Sequence, residues 1–524
     1  MLFAEVVETS AAVAATRSRL AKVAALAELV RRMSTPAVVS FLVGVPSQGR
    51  IGAGWRTVFD LDVPPAPEPS LTVSEVDAAL GAFASIGGKG SAARRAEALT
   101  SLFGRATAAE QDFLRRLLTG ELRQGALEGV MLDAIARAGD VPGEVVRRAF
   151  MLSGSLPGTA VAAMSGEGAS AALAAFRLEV GRPVRPMLAS PAESLSSALA
   201  ELGSCVVEHK LDGARIQVHR SGDEVRVFTR TLREITGTVP ELVELVRALP
   251  CTSVVLDGET LALNDDGKPR PFQETMSRFG AQDVRELLLS PFFFDCLHVD
   301  GVDLLDEPLA VRLDALRRVA GPHVIPGVVS PASEEVAARV LDEALAGGHE
   351  GVMVKSLESV YAAGRRGRAW QKVKPVHTLD LVVLGVEWGS GRRRGLLSNL
   401  HLGARDPDGG APIMVGKTFK GLTDELLAWQ TRELMAIATE KTDWVVMVRP
   451  ELVIEIELDG VQVSPRYPGG VALRFARVLR YRPDKDAGEA DTIDAVRALL
   501  PQTRPTPQTR PTRQTRPTRP NTIE

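Results

Sequence analysis

The sequence predicts a multidomain fold: an all-α N-terminal domain, an α+β core and a C-terminal β-barrel, followed by a basic tail. Three observations predict it. At 524 residues and 45% hydrophobic content, the chain fits about three domains of roughly 150 residues each. The apolar pattern changes along the chain, from helical spacing near 3.6 to short strand-like runs. Proline marks the joins, at Gly181-Arg182-Pro183-Val184-Arg185-Pro186 and at Pro375.

The first third is read as helical throughout. Residues 11–33 are rich in Ala, Leu, Arg and Lys, and Leu20, Val23, Leu26, Leu29 and Val30 recur on one helical face. Residues 72–86, 93–103, 108–119 and 126–138 repeat that character between loops bearing Gly or Pro. In the middle, Cys205-Val206-Val207-Glu208 and Ile216-Gln217-Val218-His219 read as strands, with Asp212-Gly213 as turn chemistry between them. Alternation puts Glu208 and Lys210 on one face and His209 on the other. Helices at 240–249 and 334–346 interleave with short strands, an irregular α+β pattern rather than a βαβ series. Beyond Pro375, runs at Leu379–Val386, Ala411–Val415 and Leu452–Leu458 suit a five-strand closed barrel of the OB type. The last 24 residues repeat Gln-Thr-Arg-Pro-Thr three times, and recurrent proline forbids helix and sheet, so a disordered tail is expected. The expected boundaries are 1–178, 179–375, 376–488 and 489–524.

Composition narrows the function. No run of 18 apolar residues exists, so no membrane span is expected, and the acidic start Met1-Leu2-Phe3-Ala4-Glu5 does not read as a signal peptide. Cys205, Cys251 and Cys296 are isolated, which excludes a four-cysteine zinc finger and points to a reducing cytoplasm. The net charge is −3, but residues 501–524 carry five arginines and one glutamate, +4, leaving −7 elsewhere. Lysine occurs at only 11 positions, so 51 of the 62 basic residues are arginine. Four of those few lysines, Lys210, Lys355, Lys372 and Lys374, stand inside compact motifs. A lysine amine can lose its proton and attack an electrophile, which arginine does not do.

Those motifs carry a resemblance. Lys210-Leu211-Asp212-Gly213-Ala214-Arg215 resembles the K-x-D-G-x-R motif of ATP-dependent DNA ligases and mRNA capping enzymes. The rest of that family's series follows in order: Arg230 in Phe228-Thr229-Arg230, then Glu259 in Leu256-Asp257-Gly258-Glu259. Phe294 follows in Phe292-Phe293-Phe294-Asp295, then Glu350-Gly351-Val352-Met353-Val354-Lys355, then Trp370-Gln371-Lys372-Val373-Lys374. The run Arg474, Arg477, Arg480, Arg482, Asp484 and Lys485 resembles the basic C-terminal motif, with Ala476 where many relatives carry proline. Residues 119–129 resemble part of the helical DNA-binding domain that precedes the ligase core.

The resemblance implies an adenylyl-transfer enzyme with Lys210 as nucleophile, ATP as cofactor and Mg²⁺ held by Glu259 and Glu350. It implies nucleotide contacts from Glu208, Arg215, Arg230, Glu259, Phe294, Arg366, Lys372 and Lys374, and pyrophosphate orientation by the C-terminal basic run. The partner it implies is nicked double-stranded DNA, and a monomer is expected. Two other readings share residues with it: an RNA ligase or capping guanylyltransferase, and a non-enzymatic DNA-end-binding protein. The helical first third disfavours the former, and the intact Lys210, Glu259, Glu350, Lys372 and Lys374 disfavour the latter. Other patterns fail. Gly416-Lys417-Thr418 lacks the P-loop's earlier glycine and reads as a strand end. Asn264-Asp265-Asp266-Gly267-Lys268 lacks a calcium loop's closing Glu and reads as a hairpin turn. The seven histidines show no i, i+4 pair for a metal.

Overall fold

The computed structural model describes residues 1–500 except 33–34, 50–52, 89, 123–127, 271–273, 277, 279–287, 332 and 364–365. The Arg-Pro tail at 501–524 and part of the 119–129 stretch therefore lie outside the described residues. The chain divides into two compact units, Met1–Val373 and Lys374–Glu524. Among the described residues no helix is long and apolar enough to cross a membrane.

From Phe3 to Ala174 the described elements are helices. The helices Val73–Ser85 and Ala108–Thr119 each begin with a capping box, Thr72 with Glu75 and Thr107 with Glu110, which satisfies two otherwise orphan amides at each start. The second stops at Gly120, whose φ of 71° ends the helix in the left-handed region. The reading of 11–33 needs correction. The chain forms Phe3–Ala15 and Arg19–Arg32, broken where Ser18 Oγ accepts the Ala21 N–H. Leu20, assigned to the apolar face, is 77% exposed. Phe3 packs edge-on against both Phe41 and Phe113 at the centre of this core.

The rest of the first unit is built on two five-stranded sheets. One has β2 (Cys205–Lys210) flanked by β8 (Gly327–Val329) and β9 (Gly351–Ser356), then β10 (Arg366–Val373) and β1 (Leu188–Pro191). The other runs β4 (Glu224–Thr229), β3 (Ala214–Ser221), β5 (Ser253–Ala262), β6 (Leu289–Val299) and β7 (Val302–Asp303). Only β1 with β10 is parallel among the pairs described here. Successive strands β2 and β3 thus belong to different sheets, so Leu211-Asp212-Gly213 does not close a hairpin; it carries the chain from one sheet to the other. Gly213 is required by close approach, since a Cβ there would lie 2.5 Å from the Thr260 carbonyl oxygen. The Asn264–Lys268 segment is the expected turn, with Gly267 at φ 76° and its N–H donating to the Asn264 carbonyl.

In the second unit a long strand, β11 (His377–Trp388), organises a seven-stranded sheet. The sequence suggested five strands. The first half of β11 pairs with β16 (Val453–Leu458) and its second half with β15 (Val445–Val448), so one long strand has two partners on the same side. Gly416-Lys417-Thr418 ends β13 (Ile413–Thr418), as expected of a strand end.

Candidate active site

Lys210 is the last residue of β2, and Glu350 immediately precedes β9 beside it. The Glu350 N–H donates to the Lys210 carbonyl at 3.0 Å, which closes the ladder at this point. The two side chains form an ion pair, each largely but not wholly buried. Two residues back on the same face, Glu208 is buried and ion-paired with Lys355 of β9. Burial pushes the Glu208 carboxyl up, and the Lys355 charge opposes that shift. Lys355 Nζ lies 4.3 Å from the ring centroids of both Phe294 and Trp370, so its charge is held by a carboxylate and two π faces. On the back of the sheet the His209 ring stands 5.4 Å from that of His349, away from Lys210 as alternation requires.

The second sheet supplies the opposite wall. Arg215 on β3 is opposite Glu259 on β5, and Glu259 is opposite Phe292 on β6. Glu259 is partly buried; desolvation raises its carboxyl to about 7, while Lys210 and Arg215 pull it down. Arg215 does not reach into open space. It donates to both oxygens of buried Asp257, at 3.0 and 2.6 Å, and to the Met187 carbonyl at 2.7 Å. The Tyr361 hydroxyl donates to the same Asp257 at 2.6 Å and accepts the Met187 N–H at 3.1 Å. Phe294, packed edge-on to Trp370, has the Arg215 guanidinium 5.3 Å from its centroid. Beside it Asp295 and Arg312 form a bidentate pair at 2.7 and 3.1 Å with neither side chain exposed.

The two sheets therefore bring together Lys210, Glu208, Glu259, Glu350, Arg215 and Phe294, while β10 places Lys372 two residues past Trp370 on the same strand face. Arg230 is exposed at the end of β4. Arg366 opens β10, opposite Leu188, and only its backbone is described; Arg365 lies outside the described residues. Lys374 belongs to the second unit, where Asp459 holds its ammonium at 2.9 Å. In that unit three members of the basic run are paired internally: Arg480 with Glu455, and Arg482 and Lys485 both with Asp380. Ala476 is buried between β18 (Val471–Arg474) and β19 (Arg477–Tyr481), its carbonyl accepting from Thr418 Oγ1. Asp257, Tyr361, Met187 and the Asp295–Arg312 pair were missed as site residues. Asp257 sat inside a recognised motif; Tyr361 and Arg312 carry no local signal, because the carboxylates they bind lie 104 and 17 positions away.

Three family profiles match in chain order: "DNA ligase N terminus" over 56–136, "ATP dependent DNA ligase domain" over 186–374 and "ATP dependent DNA ligase C terminal region" over 393–485. The chain belongs to the ATP-dependent DNA ligase family. A "Probable DNA ligase" of Rhodococcus opacus is 70% identical over 505 residues, covering 96% of this chain and all of that relative. One of the same name from Anaeromyxobacter dehalogenans is 57% identical over 513 residues, covering 95% and 99%. A solved structure described as "Pmar-Lig_Pre" shares the fold at 18% identity and a TM-score of 0.62, covering 92% of this chain and all of that one. In this ligase-family chain the middle profile ends at residue 374, one residue past the junction between the two compact units.

Proposed function

We propose that this chain seals nicks in double-stranded DNA through a covalent lysyl-AMP intermediate at Lys210. The observation that carries the reading is the Lys210–Glu350 pair at the rim of two sheets whose other facing residues are Glu259, Arg215 and Phe294. The Lys210 amine attacks the α-phosphorus of ATP, a P–N bond forms and pyrophosphate leaves. The ammonium proton must first depart, and the Glu350 carboxylate is the acceptor already in contact with it. AMP then passes to the 5′-phosphate of the nick, and the 3′-hydroxyl attacks that phosphate and expels AMP.

The remaining roles follow from charge and position. Phe294 supplies the adenine platform, with Lys355 and Glu208 fixing it from behind. Glu259 receives the ribose. Lys372, Lys374, Arg230 and Arg366 meet phosphate or ribose, and Arg215 acts through Asp257. Among the described residues no group of three or more His, Cys, Asp or Glu is placed to hold a metal by itself. Two carboxylates, Glu259 and Glu350, fit Mg²⁺, which is held largely by water and substrate phosphates. Bound there it would neutralise phosphate charge. The helical stretch 1–178 acts as a sequence-independent DNA clamp through phosphate contacts, and 376–488 as an OB-type barrel closing on the duplex. Residues 179–375 form the adenylation core; 489–500, expected to belong to the tail, instead carry the helix Ile493–Ala498, whose Ile493 and Val496 are buried in the core of the second unit, which leaves 501–524 as the basic tail. We place the enzyme in the cytoplasm as a monomer.

The test is incubation with α-labelled ATP and Mg²⁺. Wild-type protein should become labelled, and Lys210→Ala and Lys210→Arg should both abolish the label. Persistent labelling of Lys210→Arg would sink the nucleophile assignment, and preference for GTP would revive the capping reading.

A further inference from the structure

We infer that Met151, contributed by the helical stretch, is a positioning residue for the nucleotide site, bracing the stretch Tyr361–Ala363. The inference rests on the assignment of that site to ATP. Met151 lies near the end of the helix Gly143–Ser153, which Gly154 terminates at φ 65°. It is 3% exposed, and with Leu152 it belongs to the same apolar cluster as Leu211, Phe294, Tyr361, Ala363 and Trp370. A helix from the first third thus packs directly into the wall behind the nucleotide site.

The polar contacts are as specific as the packing. Met151 Sδ accepts the Ala363 N–H at 3.3 Å, and Met187 Sδ accepts the preceding Ala362 N–H at 3.5 Å. The Met151 carbonyl accepts the Arg185 N–H at 3.1 Å, which ties the helix to the segment leading to Met187. Near the surface, Arg148 grips Asp306 with two donors, at 3.1 and 2.6 Å, and the Arg185 guanidinium lies 4.7 Å from the Phe150 centroid.

A buried amide must find an acceptor, and the buried Ala363 N–H finds a thioether, a weak acceptor on an adaptable side chain, as does the more exposed Ala362 N–H before it. The next residue back, Tyr361, orients Asp257, which holds Arg215 beneath Phe294. Truncating Met151 opens a cavity and leaves the Ala363 N–H without its acceptor. The displacement reaches the adenine and ribose side of the site. Lys210 and Glu350 are held by the β2–β9 ladder and are not moved. The defect should therefore fall on ATP binding and not on the attack. A core beginning at residue 179 would lack this brace, although it holds every catalytic motif.

The test uses the full-length chain and the rate of Lys210 labelling as a function of ATP concentration. Met151→Ala should raise the half-saturating ATP concentration about three- to tenfold, with the maximal rate within about twofold. Met151→Leu, which restores volume without the acceptor, should fall between Met151→Ala and wild type. If Met151→Ala does not fold, Arg148→Ala loosens the same helix without emptying the core and should raise half-saturating ATP about twofold. A merely structural role would lower the melting temperature or the labelled fraction while leaving half-saturating ATP unchanged in all three variants. That result overturns the inference. Wild-type protein that takes no label at Lys210 would overturn the site assignment itself, and the inference with it.

Discussion

In the first unit the charged side chains behind Lys210 are buried and face one another; in the basic run of the second unit the pair Arg480–Glu455 lies at the surface, while Arg482 and Asp380 keep only 15% and 12% of their side chains exposed. Asp295 and Arg312 have no exposed side-chain area, and Glu208 with Lys355 and Arg215 with Asp257 are nearly as enclosed. Arg480, by contrast, keeps 65% of its side chain exposed while pairing with Glu455. The two settings do different work. A buried pair restricts geometry, because neither partner tolerates loss of the other, whereas a surface pair is easily exchanged for water or for a phosphate. The first suits a site that must hold a ring and an amine in register. The second suits residues that can leave an internal carboxylate for an arriving anion.

The sharpest way to break this comparison is to remove one partner from each region. Arg312→Ala leaves Asp295 buried and uncompensated and should destabilise the first unit by about 3–5 kcal/mol, whereas Arg480→Ala should cost about 0–1 kcal/mol. Urea unfolding measures both, and equal losses would erase the distinction.

A smaller effect sharpens it further. Burial holds the Glu259 carboxyl at about 7 in the folded chain, against an ordinary 4.5. Between those values the folded state binds more protons than the unfolded one, so stability falls as pH rises through the window and the full penalty remains above 7. Glu259→Gln removes the penalty. It should stabilise the free protein by about 1–3 kcal/mol at pH 8, with the gain vanishing below about pH 4.5. Sealing should be lost at both. A gain independent of pH would show that the carboxyl is not the source.

The smallest effect concerns the tail. Deleting 501–524 removes five arginines and should leave ATP labelling unchanged. It should weaken nick binding at low salt and hardly at all at high salt, where screening removes the contribution. Slower self-adenylylation would mean that the tail reaches the active site.

Motif residues such as Glu208 and Lys210 were legible because they sit on a short strand whose period-2 alternation sends them to one face, with His209 opposing them, as the structure has it. Turn chemistry was legible at Gly267 for the same local reason. It misled at Gly213, where glycine answers to a carbonyl on another strand rather than to its own φ. Leu20 misled because helical periodicity does not say where a helix starts, and a break at Ser18 changed which face it joins. Arg215 carries a motif that implies a nucleotide contact, and what the motif did not show is that Asp257, 42 positions on, takes its Nε and Nη2 donors while the Met187 carbonyl takes Nη1.

By itself, then, the sequence determined the family, the order of the motifs and the strand faces that carry Lys210, Glu208 and Lys372, since all three depend on spacing over a few residues. Only the tertiary structure decided that β2 and β3 part into separate sheets, that Tyr361 and Met187 complete the Asp257–Arg215 network, and that Met151 from the helical stretch packs in one cluster with Phe294 and Trp370 and accepts the Ala363 N–H. Those facts depend on which distant segments meet, and burial and hydrogen-bond demand settle that only once the whole first unit is folded.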